Sequence, residues 1–266
     1  MVDLMHEIRE NVSSTGNIVT SSMNNATHRR GFVPETIETY YYEKKTRRLL
    51  YYIFGTIIKG IFPFMYRFKV EGKRNIPKNN HCIFMPNHVS HFDSFAVGYP
   101  LWPKPPAHYI ADEKLFKNRF FAWMAKRINV FPIRKGAKQL DVVKYAIDLV
   151  NSGSTLLWYP EGQRHKNPKE NKLNKGKLGS GLIAHQTKVP IIPVFLHGPE
   201  FAMPVGKAPT WGKCPRSITI TIKYGKPVYL DDLRALPSSK EVSKLVVDRI
   251  LDAIEDLRPK GPYKMY

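Results

Sequence analysis

The sequence has few cysteines and keeps them apart. Only two of its 266 residues are cysteine, Cys82 and Cys214, and they do not form a C-x-x-C pair. Such a count excludes a small scaffold held together by disulfides, and it excludes a zinc finger. It is typical of a reducing compartment. We therefore expect a chain that faces the cytosol and two thiols that are buried as small apolar side chains.

Acidic residues are also scarce. Aspartate and glutamate together number 22, against 42 lysines and arginines, which gives a formal net charge of +20. A surface of this charge attracts anions such as nucleic acid, acidic lipid head groups or phosphorylated substrates. The basic residues are spread along the chain without an RNP motif or zinc-finger spacing. We therefore expect an anionic membrane surface and a phosphate-bearing substrate as partners, and no nucleic acid.

The sequence lacks an apolar run that would cross a membrane without interruption. Its longest run, Leu49–Met65, is broken by Lys59, Gly60 and Pro63, whereas a spanning helix needs about 20 apolar residues. Four cations come just before this run: Lys44, Lys45, Arg47 and Arg48. The pattern favours a helix that lies in the membrane interface. A helix buried against the core of the chain's own domain is the alternative.

Composition divides the chain into three parts. Residues 1–35 are polar and lack hydrophobic periodicity, so they are predicted to be a mobile leader. Their early acidic residues argue against a secretory signal. Residues 36–67 are predicted to be the basic and aromatic helical segment at the membrane interface, and residues 68–266 to be the main domain.

The main domain alternates short apolar segments with helical ones. Seven segments are predicted to be strands: 68–72, 81–86, 107–112, 128–133, 154–160, 190–196 and 217–225. Helical spacing occurs at 138–151, 176–188 and 238–257, the last with Ser238 or Ser239 as its N-cap. This alternation predicts an α/β domain with a mixed, mostly parallel sheet flanked by helices. Functional residues are then expected at the carboxyl ends of the strands.

A histidine and an aspartate follow the second predicted strand. His88 and Asp93 are five residues apart, which would place them about 140° apart on an ideal helix. A contact therefore requires His88 in the turn and Asp93 at the start of the next helix. In that arrangement the imidazole takes a proton from a hydroxyl while the carboxylate fixes its tautomer. The N–H groups of the helix start are expected to stabilise an oxyanion.

Two other interpretations of this segment remain open. His88, His91 and Asp93 have the spacing of a partial metal site, although no second cluster of ligands completes it. Asp93 is also explained by the helix dipole alone, since a carboxylate is favoured in the first turn of a helix.

Two further strand ends carry polar residues. The predicted strand at 154–160 is followed by Glu161, Gly162 and Arg164. Glycine allows close approach of the backbone to a ligand, and arginine offers a bidentate contact to phosphate. The predicted strand at 128–133 is followed by Arg134. Each feature alone is typical of an ordinary strand end, but three such ends together indicate a site.

Four segments, in this order, resemble the motifs of the glycerolipid acyltransferases, typified by 1-acylglycerol-3-phosphate acyltransferase. NHVSHFD is similar to the family's H-x-x-x-x-D motif, and VFPIR to its apolar run ending in arginine. YPEGQR is similar to F-P-E-G-T-R, and Val189–Val194 spells the V-P-I-I-P-V motif. The resemblance covers about residues 68–227.

The resemblance implies that His88 is the general base and Asp93 its orienting partner. Four residues would bind the glycerol phosphate of the acceptor: Arg134, Glu161, Gly162 and Arg164. Val189–Val194 would line the acyl site. The implied reaction moves a fatty acyl group from acyl-CoA or acyl-carrier protein to the sn-2 hydroxyl of 1-acylglycerol 3-phosphate, at the cytoplasmic face of a membrane. No bound cofactor and no metal are expected, because the thioester is already activated.

Two positions depart from the family's pattern. Gln163 replaces the usual threonine, and Asp112 stands where the acylglycerol-phosphate branch often has lysine. The sequence therefore constrains the identity of the acceptor less than it constrains the acyl-transfer chemistry. Acylation of glycerol 3-phosphate and lysophospholipid transacylation are alternative reactions. A basic lipid- or nucleic-acid-binding module without turnover is the alternative from another class.

Overall fold

The structure of the protein, a computed structural model, describes residues 44–104, 107–112, 117, 130–133, 139–165, 172–205, 210 and 217–259. Three features predicted from the sequence lie outside these residues: the leader 1–35, Arg134 and Cys214.

Seven strands form one sheet. They are β1 (Arg67–Glu71), β2 (Ile83–Pro86), β3 (His108–Asp112), β4 (Val130–Ile133), β5 (Leu156–Leu157), β6 (Ile191–His197) and β7 (Thr219–Tyr224). Their order across the sheet is β1-β7-β6-β2-β5-β3-β4. All neighbouring pairs are parallel except β6 and β7, which are antiparallel. The predicted fold class, an α/β domain with a mixed and mostly parallel sheet, is confirmed.

Among the described residues, seven helices accompany the sheet. They are α1 (Lys44–Met65), α2 (Asp93–Gly98), α3 (Gln139–Asn151), α4 (Leu178–Gln186), α5 (Pro199–Ala202), α6 (Asp231–Arg234) and α7 (Lys240–Glu255), and short 3-10 helices cover Lys73–Asn75 and Tyr99–Leu101. α7 begins where the sequence predicted, because the Ser239 hydroxyl accepts a hydrogen bond from the N–H of Val242 at 3.1 Å. Of the two predicted N-cap serines, the structure selects Ser239.

The two faces of the sheet are covered by different helices. On one face Ile83 and Met85 of β2 pack with α3, α4 and α7. On the other face Phe84 of the same strand packs with α2 and with the C-terminal end of α1. Successive side chains of a strand point to opposite faces, so a run of apolar residues serves two cores at once. This explains why the central strands β2 and β6 lack the apolar–polar alternation that β7 has.

Helix α1 packs on the second core with one side only. Phe62 and Met65 contact that core, and the backbone at Gly55 lies directly against the indole of Trp102. The opposite side exposes four large apolar residues at helical spacing: Ile53, Ile57, Ile61 and Phe64. We call these four residues the outer stripe. Within the described part of the chain, no helix is long and apolar enough to cross a membrane.

Contact between α4 and α7 depends on a glycine, and this generates a prediction. A Cβ atom on Gly181 would lie far inside contact distance of the Ser243 backbone oxygen. We expect Gly181→Ala to lower the free energy of unfolding by about 1–3 kcal/mol, because the helices must separate. The control is Gly60→Ala in α1, where an added Cβ meets no atom within 4 Å. Denaturant unfolding should show the loss for Gly181→Ala alone, and equal stability of both variants would contradict this packing.

Candidate active site

The site lies at the carboxyl ends of β2 and β5, which are adjacent and parallel. β2 leaves the sheet through Asn87, whose side chain is buried between strands. Its amide nitrogen donates to the Leu196 carbonyl at 3.0 Å, and its oxygen accepts from the Leu196 N–H at 2.7 Å. This pair of bonds fixes the direction in which the chain enters the next residue, His88. The role of Asn87 was not predictable from the sequence, because its partner Leu196 lies 109 residues away in the chain.

His88 and Asp93 are in contact. The Nδ1 atom of His88 lies 2.7 Å from Oδ2 of Asp93, which begins α2 and reaches back across the turn. The Asp93 side chain is 0% exposed and that of His88 is 16% exposed. With Nδ1 directed at the carboxylate, Nε2 is the nitrogen that can accept a proton from a hydroxyl. The structure thus has the geometry that the spacing required, and the catalytic roles stay predictions.

The Asp93 carboxylate also holds the turn. Besides His88, its Oδ2 accepts the N–H of Val89 at 2.7 Å and that of Ser90 at 2.8 Å. Burial raises the pKa of Asp93 above its usual range, and the hydrogen bonds from His88, Ser90 and Val89 oppose that rise. The N–H groups of Val89 and Ser90 are therefore committed to Asp93. They are not available as oxyanion donors, and the donors expected at the start of α2 stay a prediction.

Tyr159 covers one face of the histidine. Its ring stacks on the His88 imidazole with centroids 3.7 Å apart and planes inclined by 16°. Its hydroxyl lies 2.8 Å from the Ser94 hydroxyl. Burial raises the pKa of Tyr159 well above 10, and the negative charge of Asp93 adds to the rise, so the phenol is neutral at physiological pH. The sequence does not predict this contact: Tyr159 lies in the predicted strand at 154–160 and opens the YPEGQR segment, and neither pattern places its ring on His88.

Glu161 is a buried structural carboxylate. Its side chain is only 1% exposed. Oε1 accepts the N–H of His88 at 2.9 Å, and Oε2 accepts the backbone N–H of Asn174 at 2.7 Å and its side-chain amide at 2.8 Å. Burial raises the pKa of Glu161, and the bonds from Asn174 and His88 oppose the rise. Both oxygens bind protein donors, which favours a positioning role over the substrate contact that the sequence predicted.

The chain turns sharply after Glu161. Gly162 has φ of +67°, in the left-handed region that favours glycine, and its N–H donates to the Tyr159 carbonyl at 3.0 Å. The turn then returns to the dyad, because the N–H of His165 donates to the His88 carbonyl at 2.8 Å. Gly162 thus shapes the loop that carries Arg164.

Arg164 extends from this turn towards the dyad. A terminal nitrogen of its guanidinium lies 3.3 Å from Nδ1 of His91. Burial, the charge of Arg164 and His88 lower the pKa of His91, so neutral His91 accepts a hydrogen bond from Arg164. The described residues contain no group of three His, Cys, Asp or Glu side chains that would hold a metal ion. His91 is therefore a partner of Arg164 in this structure.

The V-P-I-I-P-V segment, Val189–Val194, lies mostly in β6 at the centre of the sheet. Ile191 is fully buried in the first core, while Ile192 and Val194 are fully buried in the second. These side chains pack the strand between helices on both faces. Their burial favours a structural role over the acyl-site lining that the resemblance implied.

The raised pKa of Glu161 generates a prediction with a definite sign. Glu161→Gln should lower the free energy of unfolding by about 1–3 kcal/mol, because the new amide leaves donors of Asn174 unpaired. The wild-type carboxyl contributes stability that is complete below its unfolded pKa and is lost as pH rises through its raised folded pKa. The difference in free energy of unfolding between the wild type and Glu161→Gln should therefore become smaller as the pH rises above about 4.

Denaturant unfolding at several pH values checks the sign. The control is Glu241→Gln in the first turn of α7, where backbone and Ser239 hydrogen bonds lower the pKa of Glu241. The loss of stability in Glu241→Gln should grow with pH, because a carboxyl whose pKa is lowered in the folded state contributes stability only at pH values above that folded pKa. A deficit of Glu161→Gln that also grows with pH would contradict the burial argument.

Comparisons with known proteins agree on one family. Residues 67–197 match the acyltransferase family model. The chain is 27% identical over 168 residues to the chloroplastic 1-acyl-sn-glycerol-3-phosphate acyltransferase of Brassica napus, a match covering 62% of this chain and 46% of that protein. It thus spans just under half the length of this plant relative. The 1-acyl-sn-glycerol-3-phosphate acyltransferase of Bacillus subtilis (strain 168) is 24% identical over 211 residues, which covers 79% of this chain and 98% of that protein.

A solved structure has the same fold. The crystal structure of the 1-acyl-sn-glycerophosphate acyltransferase PlsC from Thermotoga maritima is similar with a TM-score of 0.58 and 25% identity, covering 85% of this chain and 84% of that one. The matched region, residues 67–197, contains the histidine–aspartate contact and both buried carboxylates described above. From these matches and from the geometry at the sheet edge, residues 67–197 form a domain of the acyltransferase family.

Proposed function

We propose that the protein transfers a fatty acyl group from an acyl thioester, acyl-CoA or acyl-carrier protein, to the sn-2 hydroxyl of 1-acylglycerol 3-phosphate, with phosphatidic acid as the product. The observation that carries the proposal is the contact of 2.7 Å between His88 and the buried Asp93. It is supported by the exposed Arg164 beside the dyad and by the names of the relatives.

The reaction needs one proton acceptor. His88 Nε2 removes the proton of the acceptor hydroxyl as its oxygen attacks the thioester carbonyl. The tetrahedral intermediate collapses, the carbon–sulfur bond breaks, and the imidazolium returns the proton to the departing thiolate. Asp93 holds the tautomer throughout and stabilises the imidazolium that forms between the two proton transfers. Atoms and charges balance without a metal ion or a redox step.

The acceptor phosphate needs positive charge close to the dyad. Arg164 is exposed and lies beside His91 on the turn of the dyad, so its guanidinium provides a charge-assisted contact for a phosphate bound next to His88. Arg134 is proposed as a second phosphate contact by its place after β4; it lies outside the described residues. The carboxyl ends of β4 and β5 face the same edge of the sheet, which supports this assignment.

The lipid substrates suggest a membrane surface as the working environment. We propose that α1 lies in the head-group region of an anionic, cytoplasm-facing membrane, with the outer stripe towards the acyl chains. The side of α1 that carries Phe62 and Met65 is occupied by the domain itself. The boundaries at 35 and 67 between leader, interface segment and acyltransferase domain belong to this proposal.

A panel of acceptors tests the reaction, and variants of the dyad test its mechanism. Purified protein with acyl-CoA should acylate 1-acylglycerol 3-phosphate faster than glycerol 3-phosphate or lysophosphatidylcholine, as read by product mass.

His88→Ala should lower turnover by at least about 10²-fold, because the base is removed. Asp93→Asn should also be severe, since the charge that stabilises the imidazolium is lost. Turnover at the wild-type level in either folded variant would eliminate the dyad mechanism.

Arg164→Ala should weaken binding of the acceptor and leave binding of the acyl donor unaffected. A charge-assisted contact of about 1.5–3 kcal/mol corresponds to roughly ten- to hundredfold in acceptor affinity. The loss should disappear for an uncharged monoacylglycerol acceptor, because that molecule has no phosphate to lose. Lys240→Ala, an exposed cation on α7, serves as the charge control. A collapse of acyl-CoA affinity at constant acceptor affinity would show that Arg164 binds the other substrate.

Binding to vesicles should have two separable components. Replacing Lys44, Lys45, Arg47 and Arg48 by glutamine should weaken attachment to anionic vesicles at low salt, since each cation contributes about 1 kcal/mol there. Replacing the outer stripe by serine should instead remove the component that resists high salt, because burial of each large apolar side chain contributes about 1–2 kcal/mol. Vesicle flotation distinguishes the two sets.

The matched control is Leu245→Ser, an exposed leucine on α7 that is 53% exposed. It should leave flotation unchanged. If the intact protein stays unbound on anionic vesicles at low salt, α1 is an ordinary surface helix of the domain and the membrane proposal is wrong.

A further inference from the structure

We propose that Tyr159 is a positioning residue of the reaction: its ring fixes the plane of the His88 imidazole and stabilises the imidazolium, and its hydroxyl is anchored by Ser94. This inference deepens the proposed function and rests on His88 acting as the base. It starts from two contacts that the motifs do not explain, the stacked rings of Tyr159 and His88 and the bond of Tyr159 to the helix that carries Asp93.

A single hydrogen bond does not fix an imidazole. The bond of 2.7 Å from Nδ1 to Asp93 sets the tautomer and one point of the ring. The χ1 and χ2 torsions of His88 can still change together and tilt the ring while this bond is kept, and such a tilt moves Nε2 through an arc. A displacement of about 1 Å of a catalytic group is enough to cost about 10²-fold in rate. The dyad by itself therefore does not hold the proton acceptor in place.

The ring of Tyr159 removes this freedom. Its centroid lies 3.7 Å from that of His88 with an inclination of 16°, so the two rings are in face-to-face contact. Any such tilt of the imidazole would drive one ring edge into the phenol ring. The hydrogen bond and the stack together define both the position and the plane of His88, and thereby the direction of Nε2.

Tyr159 is itself fixed at both ends. Its backbone follows β5 and its carbonyl accepts the N–H of Gly162 at 3.0 Å. Its hydroxyl lies 2.8 Å from Ser94, the residue after Asp93 in α2. The loop after β5 and the helix after β2 are thus joined through the residue that touches the base. Desolvation and the negative charge of Asp93 raise the pKa of the half-buried Tyr159 well above its usual value, so the ring adds no charge next to that carboxylate.

The stack also acts in the transition state. The face of an aromatic ring is electron-rich and attracts a cation above it. As His88 takes the hydroxyl proton it becomes an imidazolium over the Tyr159 ring, so the contact strengthens when the charge develops. The other charged or titratable groups that face the stacked pair are Asp93, Tyr109, Arg164, Glu161 and His91. Tyr159→Phe keeps the ring beside all of these groups, so its comparison with a ring-less variant separates the effect of the ring.

The decisive variants are Tyr159→Leu, which removes the ring, and Tyr159→Phe, which keeps it. For Tyr159→Leu we expect kcat to fall about 10- to 100-fold while the KM values for acceptor and donor change less than about threefold. The acid limb of its pH–rate profile should move to lower pH by about half a unit. Tyr159→Phe should stay within about threefold of wild-type kcat and keep the wild-type profile. Ser94→Ala removes the same hydroxyl contact and should match Tyr159→Phe, with the double variant no worse than either.

Tyr145→Leu is the matched structural control. Tyr145 is a partly buried tyrosine that packs on the other core of the sheet, where burial raises its pKa to about 12. Its replacement should lower stability without changing the pH profile. If Tyr159→Leu does not fold, Tyr159→Met replaces it, because methionine fills the space without an aromatic face. Retained kcat and an unmoved profile in the folded ring-less variant would overturn the inference, and so would a loss confined to KM.

A readout without turnover separates this inference from the proposed reaction. Diethylpyrocarbonate modifies neutral imidazoles, and peptide mass reports the modification of His88 in the intact chain. The pH of half-maximal modification should be lower in Tyr159→Leu than in the wild type or Tyr159→Phe. If the wild-type protein transfers no acyl group to any acceptor, the proposed reaction fails while this shift still supports the stack. Identical modification curves for all three proteins would overturn the role of Tyr159.

Discussion

The buried carboxylate of Asp93 is the interaction on which the rest of the site depends. Its Oδ2 accepts three hydrogen bonds, from the His88 ring and from the N–H groups of Val89 and Ser90. An unpaired charge in a fully buried position would be very costly, and these three bonds offset that cost. They also force the chain to fold back on itself between β2 and α2. His88, the proposed base, is therefore held by the same carboxylate that makes the turn possible, and the N–H groups of that turn are committed to Asp93.

A second buried carboxylate completes the frame from the neighbouring strand. Glu161 follows β5 and binds His88 through its backbone N–H, and Asn174 through both donors of that residue. The two carboxylates thus approach the histidine from two strand ends that lie side by side in the sheet. The two carboxylates lie in the interior of the site, and the exposed Arg164 carries positive charge on the surface outside it. This separation suits a neutral proton acceptor beside an anionic acceptor molecule.

The proposed membrane helix and the dyad share one hydrophobic core. Phe62 of α1 contacts Phe92 with ring centroids 5.5 Å apart, and Phe92 directly precedes Asp93. The outer stripe lies on the far side of the same helix. If α1 lies in the head-group region, the contact between Phe62 and Phe92 connects it directly to the turn that carries His88 and Asp93. For a lipid acceptor that does not leave the bilayer, this arrangement shortens the distance between surface and base.

The sequence by itself determined the elements and the meeting of His88 with Asp93, and tertiary structure decided what surrounds each side chain of the site. All seven strands and the helices at α3, α4 and α7 were predictable, because apolar periodicity and serine capping are local properties. So was the return of Asp93 to His88, since the spacing admits few geometries. The order of the strands, the burial of Glu161, the stack of Tyr159 and the core position of Ile192 were not predictable. Each depends on which strand ends become neighbours, and that is settled only when the whole sheet assembles and both of its faces are covered.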